Sequence, residues 1–246
     1  VSGEDIVAIR NTDERAEMLK TEIKNFPTAL ANDPDKGKNL GGKLNFVSQH
    51  CANGCGRSFV ADVVNARPVR GGATLVDAQR LTPEVQTCLD WWPALLEHQL
   101  CDATTPGEPR QRFLAFPDGY WDQESESGGV GYLLLGPTGH THAGAMVPDH
   151  IKAELLHGGL RQRNTQAELL AIWCLLLTAG HQLRGQTVYI ADDSTATIGN
   201  MLRQSAKSED SRTIVGNIWL LAALLNVYIE VHHIPGCLNP GDPFSR

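Results

Sequence analysis

Carboxylate side chains recur at the predicted ends of strands and helices in the second half of the sequence. Asp118 closes the segment RFLAFPD, Glu168 lies in the first turn of a helical segment, Asp192 and Asp193 end TVYIADD, and Asp242 follows the last strand-like segment. Mg²⁺ prefers oxygen ligands and keeps several waters. Two such ions stabilise both the attacking water and the leaving oxygen of a phosphodiester. The set therefore predicts a site for two Mg²⁺ ions, with Mn²⁺ as a substitute.

Each carboxylate taken alone also has an ordinary structural explanation. Asp118-Gly119 is a common hairpin pair, and the helix dipole favours an acid such as Glu168 in a first turn. Strand alternation places Asp192 and Asp193 on opposite faces, so only one of them fits the site and either is a candidate. The prediction depends on the joint pattern of four elements.

The segments that carry these carboxylates alternate between strand and helix patterns. Strands are predicted over 112–118, 129–136, 140–147, 187–192 and 227–234, and helices over 165–180, 194–203 and 211–226. Gly180 is the expected stop of the first helix and Ser194 opens the second. Three consecutive strands followed by alternating helices and strands predict an α/β fold, a mixed five-stranded sheet with helices packed on it.

The first half of the sequence shows mainly helical patterns. Helical patterns cover 12–26, which Thr12 opens and which Pro27 and then the stretch 32–35 break, and then about 40–49, 57–65 and 82–100, the last interrupted by Pro93. The polar stretch 102–109 is rich in Pro and Gly and reads as a linker. We expect a mainly helical domain over 1–108 and an α/β domain over 109–246.

The composition is that of an ordinary globular protein. The formal net charge is −7, which gives no support to a strongly basic nucleic-acid binder, and the sequence has neither a signal peptide nor an apolar run long enough for a membrane span. Six scattered cysteines favour an intracellular location, cytoplasmic or nuclear. His50, Cys51 and Cys55 have zinc-ligand character, but no second pair follows at a suitable spacing. The chain begins with Val, so we interpret it as a fragment of a longer protein.

Four motifs in the second half resemble ribonuclease H. DGYWDQESESGGVGYLLL is similar to the family's opening, in which Asp-Gly at the end of the first strand precedes the Gly-Gly-x-Gly of the second. NTQAELLAIWCLL resembles the helix with the second acidic ligand, and DDSTATIGNML the family's Asp-Ser or Asp-Asn strand end. IPGCLNPGDPFSR resembles the retroelement ending, with Asn239, Asp242, Ser245 and Arg246 at the matching positions.

The first half resembles the thumb and connection region of reverse transcriptases from DIRS-like and related retrotransposons. The similarity lies in DIVAIRNTDERAEML and GGKLNFVSQHCANGCGRSF. It implies that the fingers and palm of the polymerase lie outside this chain and are its partner. It also implies that the first half holds a nucleic-acid duplex through Lys36, Lys38, Lys43 and Arg57. YIADD has one residue too many for the Tyr-x-Asp-Asp box of a polymerase palm and precedes a helix, so we interpret it as the ribonuclease H strand.

The resemblance implies metal-dependent hydrolysis of the RNA strand of RNA–DNA hybrids. Asp118 would bridge both ions, Glu168 and Asp193 would hold the ion on the leaving-group side, and Asp242 the ion that activates water. Alignment of Ser194 with the family's Ser or Asn favours Asp193 over Asp192. The residues assigned to the nucleic acid are Arg161, Arg163, Asn164, Thr165, Gln166, Ser194 and Asn239.

Two other functions remain open at the level of sequence. One is a catalytically inactive ribonuclease H-like module that binds nucleic acid or acts as a scaffold, and the other is a different metal nuclease of the same fold. Many cellular ribonucleases H carry a His shortly before the last Asp. Here His232 and His233 lie in the preceding strand pattern, and we expect one of them to face solvent. The final Asp242 is followed by four residues, so we expect no helix to support it.

Overall fold

The computed structural model describes residues 7–9, 12–50, 54–68, 81–97, 102–104, 110–157 and 163–246, with backbone alone at 7–9, 50, 102–104 and 156–157. The chain divides into two compact units, Val1–Pro106 and Gly107–Arg246. None of the helices in the described ranges combines the length and the apolar character that a membrane crossing requires.

The described part of the first unit is mainly helical. Its elements are β1 (Val7–Ile9), α1 (Asp13–Asn32), α2 (Lys36–His50), a 3₁₀ turn (Arg57–Phe59), α3 (Ala61–Asn65), α4 (Pro83–Glu97) and β2 (Asp102–Thr104). Thr12 caps α1 as predicted, because its Oγ1 accepts the Arg15 backbone N–H at 3.3 Å. The interior includes Trp92 of α4, which is fully buried and donates its Nε1–H to the Phe59 carbonyl at 3.1 Å.

Two local predictions for this unit are wrong. Pro27 does not end α1, and Pro93 does not interrupt α4. A proline removes one helical hydrogen bond, but burial of apolar residues beyond each proline, such as Leu30 after Pro27, offsets that loss. The boundary between the two compact units lies within the predicted linker 102–109. Residues 102–104 of that stretch form strand β2, which pairs antiparallel with β1.

The second unit is the predicted mixed sheet with helices packed on it. Its elements are β3 (Arg112–Asp122), β4 (Ser127–Gly136), β5 (Gly139–Met146), α5 (Asp149–His157), α6 (Asn164–Leu183), β6 (Thr187–Asp192), α7 (Thr195–Arg203), α8 (Glu209–Leu225), β7 (Tyr228–His233), a 3₁₀ turn (Gly236–Leu238) and α9 (Asp242–Ser245). The strand order is β5-β4-β3-β6-β7. β3, β4 and β5 pair antiparallel, whereas β6 pairs parallel to both β3 and β7. The α/β class with a five-stranded mixed sheet, predicted for a ribonuclease H-like domain, is confirmed.

The long helix α6 supplies much of the core. Leu169, Ile172 and Leu175 are fully buried within the same apolar cluster as the strands. The prediction that Gly180 ends this helix is wrong, because α6 continues to Leu183. A Cβ at Gly180 would lie 2.7 Å from a Leu225 methyl group, so this glycine permits close packing of α6 against α8 instead of terminating the helix.

Two further sequence expectations differ from the structure. Helix α5 was not predicted at all. His232 and His233 are both exposed, although one was expected to be covered, because β7 is an edge strand. His232 Nε2 lies 3.8 Å from a carboxylate oxygen of Glu230 on the same strand.

Candidate active site

Asp118 lies in the middle of β3 at the centre of the sheet. The sequence predicted it at the end of the first strand, but pairing between β3 and β4 continues to Asp122. The Asp118 side chain is 6% exposed. It accepts hydrogen bonds from Asn239 Nδ2 at 3.1 Å and from the Ser245 hydroxyl. Burial raises the pKa of Asp118, the Ser245 hydrogen bond opposes that rise, and the charge of Asp242 adds to it.

Glu168 reaches Asp118 from α6. Helix α6 begins at Asn164, so Glu168 lies just beyond the first turn, in which it was predicted. A Cβ at Gly119 would lie 2.3 Å from the carbonyl carbon and oxygen of Ala167. The glycine therefore allows α6 to approach β3, and its backbone N–H donates to Glu168 Oε2 at 3.1 Å.

The environment of Glu168 opposes its ionisation. The side chain is 9% exposed, and burial, followed by the charges of Asp192, Asp118 and Asp193, raises its pKa to about 9. Desolvation and like charges both disfavour a carboxylate. Without a neutralising partner, this carboxyl is protonated at neutral pH.

Asp193 completes a group of three carboxylates. One oxygen from each of Asp118, Glu168 and Asp193 can be chosen so that all lie within 4.8 Å of one another. Asp193 is half-buried and follows the last residue of β6. Among all His, Cys, Asp and Glu side chains in the described ranges, these three are the ones placed to share a metal ion. We call these three residues the carboxylate cluster.

Asp192, the alternative to Asp193, occupies a different environment. It is fully buried at the end of β6 and its Oδ1 accepts the Ser194 backbone N–H at 2.7 Å. Its Oδ2 has no hydrogen-bond partner among the described residues. Burial raises the pKa of Asp192 to about 7, with a smaller contribution from the charge of Asp193. Asp192 lies within electrostatic reach of Glu168 but outside the carboxylate cluster.

Asp242 is close to the cluster without being part of it. It is the first residue of α9, a single turn of helix where none was expected. Its Oδ1 forms an ion pair with Arg246 Nη2, 2.7 Å away and one turn later. The charge of Asp242 still contributes to the raised pKa of Asp118. Of the four predicted ligands, the structure thus brings three together and pairs the fourth with an arginine.

The residues predicted to contact nucleic acid are divided between surface and interior. At the start of α6, Asn164 is exposed and Thr165 half-buried, whereas Gln166 is 3% exposed. Thr165 lies inside α6, which begins at Asn164 after Arg163. The guanidinium of Arg163 lies 5.5 Å from the centre of the Trp121 ring.

The polar side chains of Ser194 and Asn239 both form hydrogen bonds within the protein. The Ser194 hydroxyl accepts the Thr197 backbone N–H at 3.2 Å and so caps α7, as predicted from its position before that helix. Asn239 is 7% exposed and bonded to Asp118, so its predicted contact with nucleic acid does not fit this structure. Arg161 lies outside the described residues.

The lysines predicted to grip a duplex in the first unit are each paired with a carboxylate. The pairs are Lys36 with Asp33, Lys38 with Asp35, and Lys43 with Glu22. Arg57 is exposed in the 3₁₀ turn. Of the suggested zinc ligands, Cys55 is fully buried, whereas Cys51 and the His50 side chain lie outside the described residues.

The donor set of the carboxylate cluster fits a hard divalent cation. Three carboxylates without nitrogen or sulfur ligands match the preference of Mg²⁺ for oxygen. The raised pKa values of Asp118 and Glu168 show that burial and neighbouring charge disfavour ionisation there, a cost that a bound cation would offset. The arrangement can therefore hold a divalent cation between β3, α6 and the end of β6.

No protein-family model and no curated protein matches this chain. Among solved structures, it is similar to ribonuclease H1 of the halophilic archaeon Halobacterium salinarum, with 18% sequence identity and a TM-score of 0.43 over 55% of this chain and 94% of that chain. It is also similar to the N-terminal ribonuclease H domain of Rv2228c from Mycobacterium tuberculosis, with 15% identity and a TM-score of 0.42 over 55% of this chain and 91% of the other. At this level of similarity, neither structure assigns a role to any residue of this chain.

Proposed function

We propose that this chain is a metal-dependent endonuclease that hydrolyses the RNA strand of RNA–DNA hybrids, acting as part of a retroelement reverse transcriptase. The observation that carries the proposal is the carboxylate cluster. Its three oxygens lie within 4.8 Å of one another although they come from a central strand, a helix and a strand end. Rigid elements hold each of them, as a catalytic site requires.

Asp118, Glu168 and Asp193 would hold the metal ions, Mg²⁺ or Mn²⁺. When bound, two such ions activate the attacking water and stabilise the leaving oxygen of the phosphodiester. The protein fixes the position of Asp118 through Asn239 and Ser245 and that of Glu168 through the Gly119 N–H. We assign Asp242 as the fourth ligand on the strength of the sequence motif.

The first turn of α6 directly precedes Glu168 and would contact the RNA strand. Asn164 is exposed and Thr165 half-buried, only a few residues before Glu168. Their polar side chains suit a ribose 2′-hydroxyl, which distinguishes RNA from DNA. Arg163 is half-buried there and would contact phosphate.

The retroelement context rests on the sequence resemblance of both halves. The first unit, interpreted as a thumb and connection region, would hold the duplex, and the partner would be the fingers and palm of the polymerase. Such an enzyme works inside the cell, in the cytoplasm or the nucleus. The domain division proposed from sequence, 1–108 and 109–246, belongs to the same interpretation.

The proposal is tested with labelled RNA–DNA hybrid, RNA–RNA and DNA–DNA duplexes, each with Mg²⁺, Mn²⁺ or EDTA. We expect metal-dependent cleavage of the hybrid's RNA alone, lost in Asp118→Asn and retained in Glu124→Gln, an exposed acid in the β3–β4 turn. Circular dichroism establishes that each variant is folded. A folded wild-type chain that cuts no substrate would refute the nuclease and favour an inactive binding module, whereas equal cutting of DNA–DNA would favour another nuclease of this fold.

A further inference from the structure

Helix α9, a single turn from Asp242 to Ser245, lies against a part of the sheet that is lined by glycines. Asp118 and Gly119 are adjacent in β3, so they face opposite sides. Gly119 faces α6, whereas Asp118 faces α9 and the segment before it. In the sheet register, Asp118 pairs with Gly131 of β4, which pairs in turn with Gly144 of β5. Asp118, Gly131 and Gly144 therefore lie side by side on three neighbouring strands.

These glycines leave room for the backbone of Phe244 and Ser245. A Cβ at Gly131 would lie 2.3 Å from the Phe244 carbonyl group, and a Cβ at Gly144 would lie 1.9 Å from the Phe244 oxygen. A third glycine, Gly129 of β4, would bring a Cβ to 1.9 Å from the Ser245 oxygen. Any side chain at these positions would lift the turn away from the sheet. We call Gly129, Gly131 and Gly144 the glycine cradle.

A ring contact holds the turn from the side. The rings of Phe244 and His142 are stacked, with 4.7 Å between their centres. His142 is two residues from Gly144 on β5, so it lies on the same face of the sheet. The cradle and this stack together fix the position of Ser245, which is 2% exposed.

The Ser245 side chain is hydrogen-bonded to a residue of the carboxylate cluster. Its hydroxyl donates to Asp118 Oδ2, and it also lies 3.1 Å from the Asp242 carbonyl. One hydroxyl proton serves one acceptor at a time, and an ionised carboxylate is the stronger acceptor. Asn239 donates to the other oxygen, Oδ1. Each oxygen keeps a further lone pair for a cation.

We propose that Ser245 is a positioning residue that orients the Asp118 carboxylate for cation binding, and that the glycine cradle is what admits it. The inference rests on the proposed function in that it takes the carboxylate cluster as a metal site. Hydrogen bonds to ligand side chains fix ligand orientation, and their loss typically lowers metal affinity about 10- to 100-fold.

The test measures Mn²⁺ binding to the full chain by electron paramagnetic resonance of the free ion, without nucleic acid. We expect Ser245→Ala to bind Mn²⁺ about tenfold more weakly than the wild type, and Ser245→Thr, which keeps the hydroxyl, to recover most of that loss. The matched control is Ser211→Ala, which removes a buried hydroxyl that accepts from Ser208 at 2.9 Å in α8. Melting temperatures in EDTA report the structural cost of each change.

Equal Mn²⁺ affinity in Ser245→Ala and Ser211→Ala would overturn the proposal. Should Ser245→Ala fail to fold, Ser245→Cys decides, because it nearly keeps the side-chain volume and replaces the hydroxyl that bonds Asp118 by a weak donor: a clear loss of affinity supports the proposal and unchanged affinity overturns it. A wild-type chain that binds no Mn²⁺ refutes both this inference and the proposed function. A chain that binds Mn²⁺ in this pattern but cuts no hybrid refutes the function alone.

Discussion

Replacement of Glu168 by Gln should stabilise the metal-free protein while it damages the site. Glu168 has its pKa raised from 4.5 to about 9, chiefly by burial and by the charge of Asp192. At pH 7 the unfolded chain holds this carboxyl ionised and the folded chain holds it protonated. Folding therefore takes up a proton, and the contribution of Glu168 to stability falls as the pH rises from about 4.5 to about 9.

The magnitude follows from the same two pKa values. Neutral pH lies about 2.5 pH units above the ordinary pKa, and each unit corresponds to about 1.4 kcal/mol. Glu168 thus costs the metal-free fold about 3 kcal/mol at pH 7 but about 1 kcal/mol at pH 5. Gln is neutral at every pH, has nearly the same shape, and keeps an oxygen to accept the Gly119 N–H that now bonds Glu168.

The assay is thermal unfolding of the full chain in EDTA at about pH 5 and pH 7, followed by far-ultraviolet circular dichroism. For a unit of this size, about 3 kcal/mol corresponds to an increase of roughly 10 °C in the unfolding temperature at pH 7. Added Mg²⁺ should raise the wild-type midpoint more than that of the variant, because a cation lets Glu168 ionise in the folded state. The control is Glu124→Gln, an exposed acid for which we expect a change within about 0.5 kcal/mol.

Two results would refute the reasoning. The first is an unfolding midpoint below that of wild type at pH 7, which would mean that weakening of the buried Gly119–Glu168 hydrogen bond outweighs the removal of the ionisable group. A gain in stability of the same size at both pH values would show that the effect does not come from ionisation of Glu168.

Three further changes test other parts of the structure. Asp193→Asn should lower the rate of hybrid cleavage at least about 100-fold and Asp192→Asn much less, measured under single-turnover conditions; the opposite order would identify Asp192 as the ligand. Gly119→Ala should reduce the free energy of unfolding by about 2–3 kcal/mol in urea, because its Cβ would lie 2.3 Å from the Ala167 backbone; an unchanged midpoint would contradict that packing. Trp92→Ala should cost about 3–5 kcal/mol in the same assay, since Trp92 is fully buried and hydrogen-bonded; a loss below about 1 kcal/mol would show that it is not part of the core.

The order of elements in the second unit can be predicted from the sequence because it depends on local patterns. Period-two and period-3.6 apolar spacing identifies its strands and most of its helices, and the caps at Thr12 and Ser194 follow from residue type at a helix start. Helix ends are less predictable. Pro27 and Gly180 are local stop signals, yet burial of the residues beyond or beside them decided otherwise.

The sequence by itself determined which carboxylates stand at strands and helices of the sheet, and it narrowed the ligand at the end of β6 to Asp192 or Asp193. Only the tertiary structure placed Asp193 in the cluster, paired Asp242 with Arg246, and brought Ser245 to Asp118 across 127 residues of chain. The physical reason is the distance along the chain over which the interactions act. Strand and helix patterns arise from neighbours in the chain, whereas a carboxylate's partners depend on how elements pack, which here requires Gly119 and the glycine cradle to let backbones approach closely.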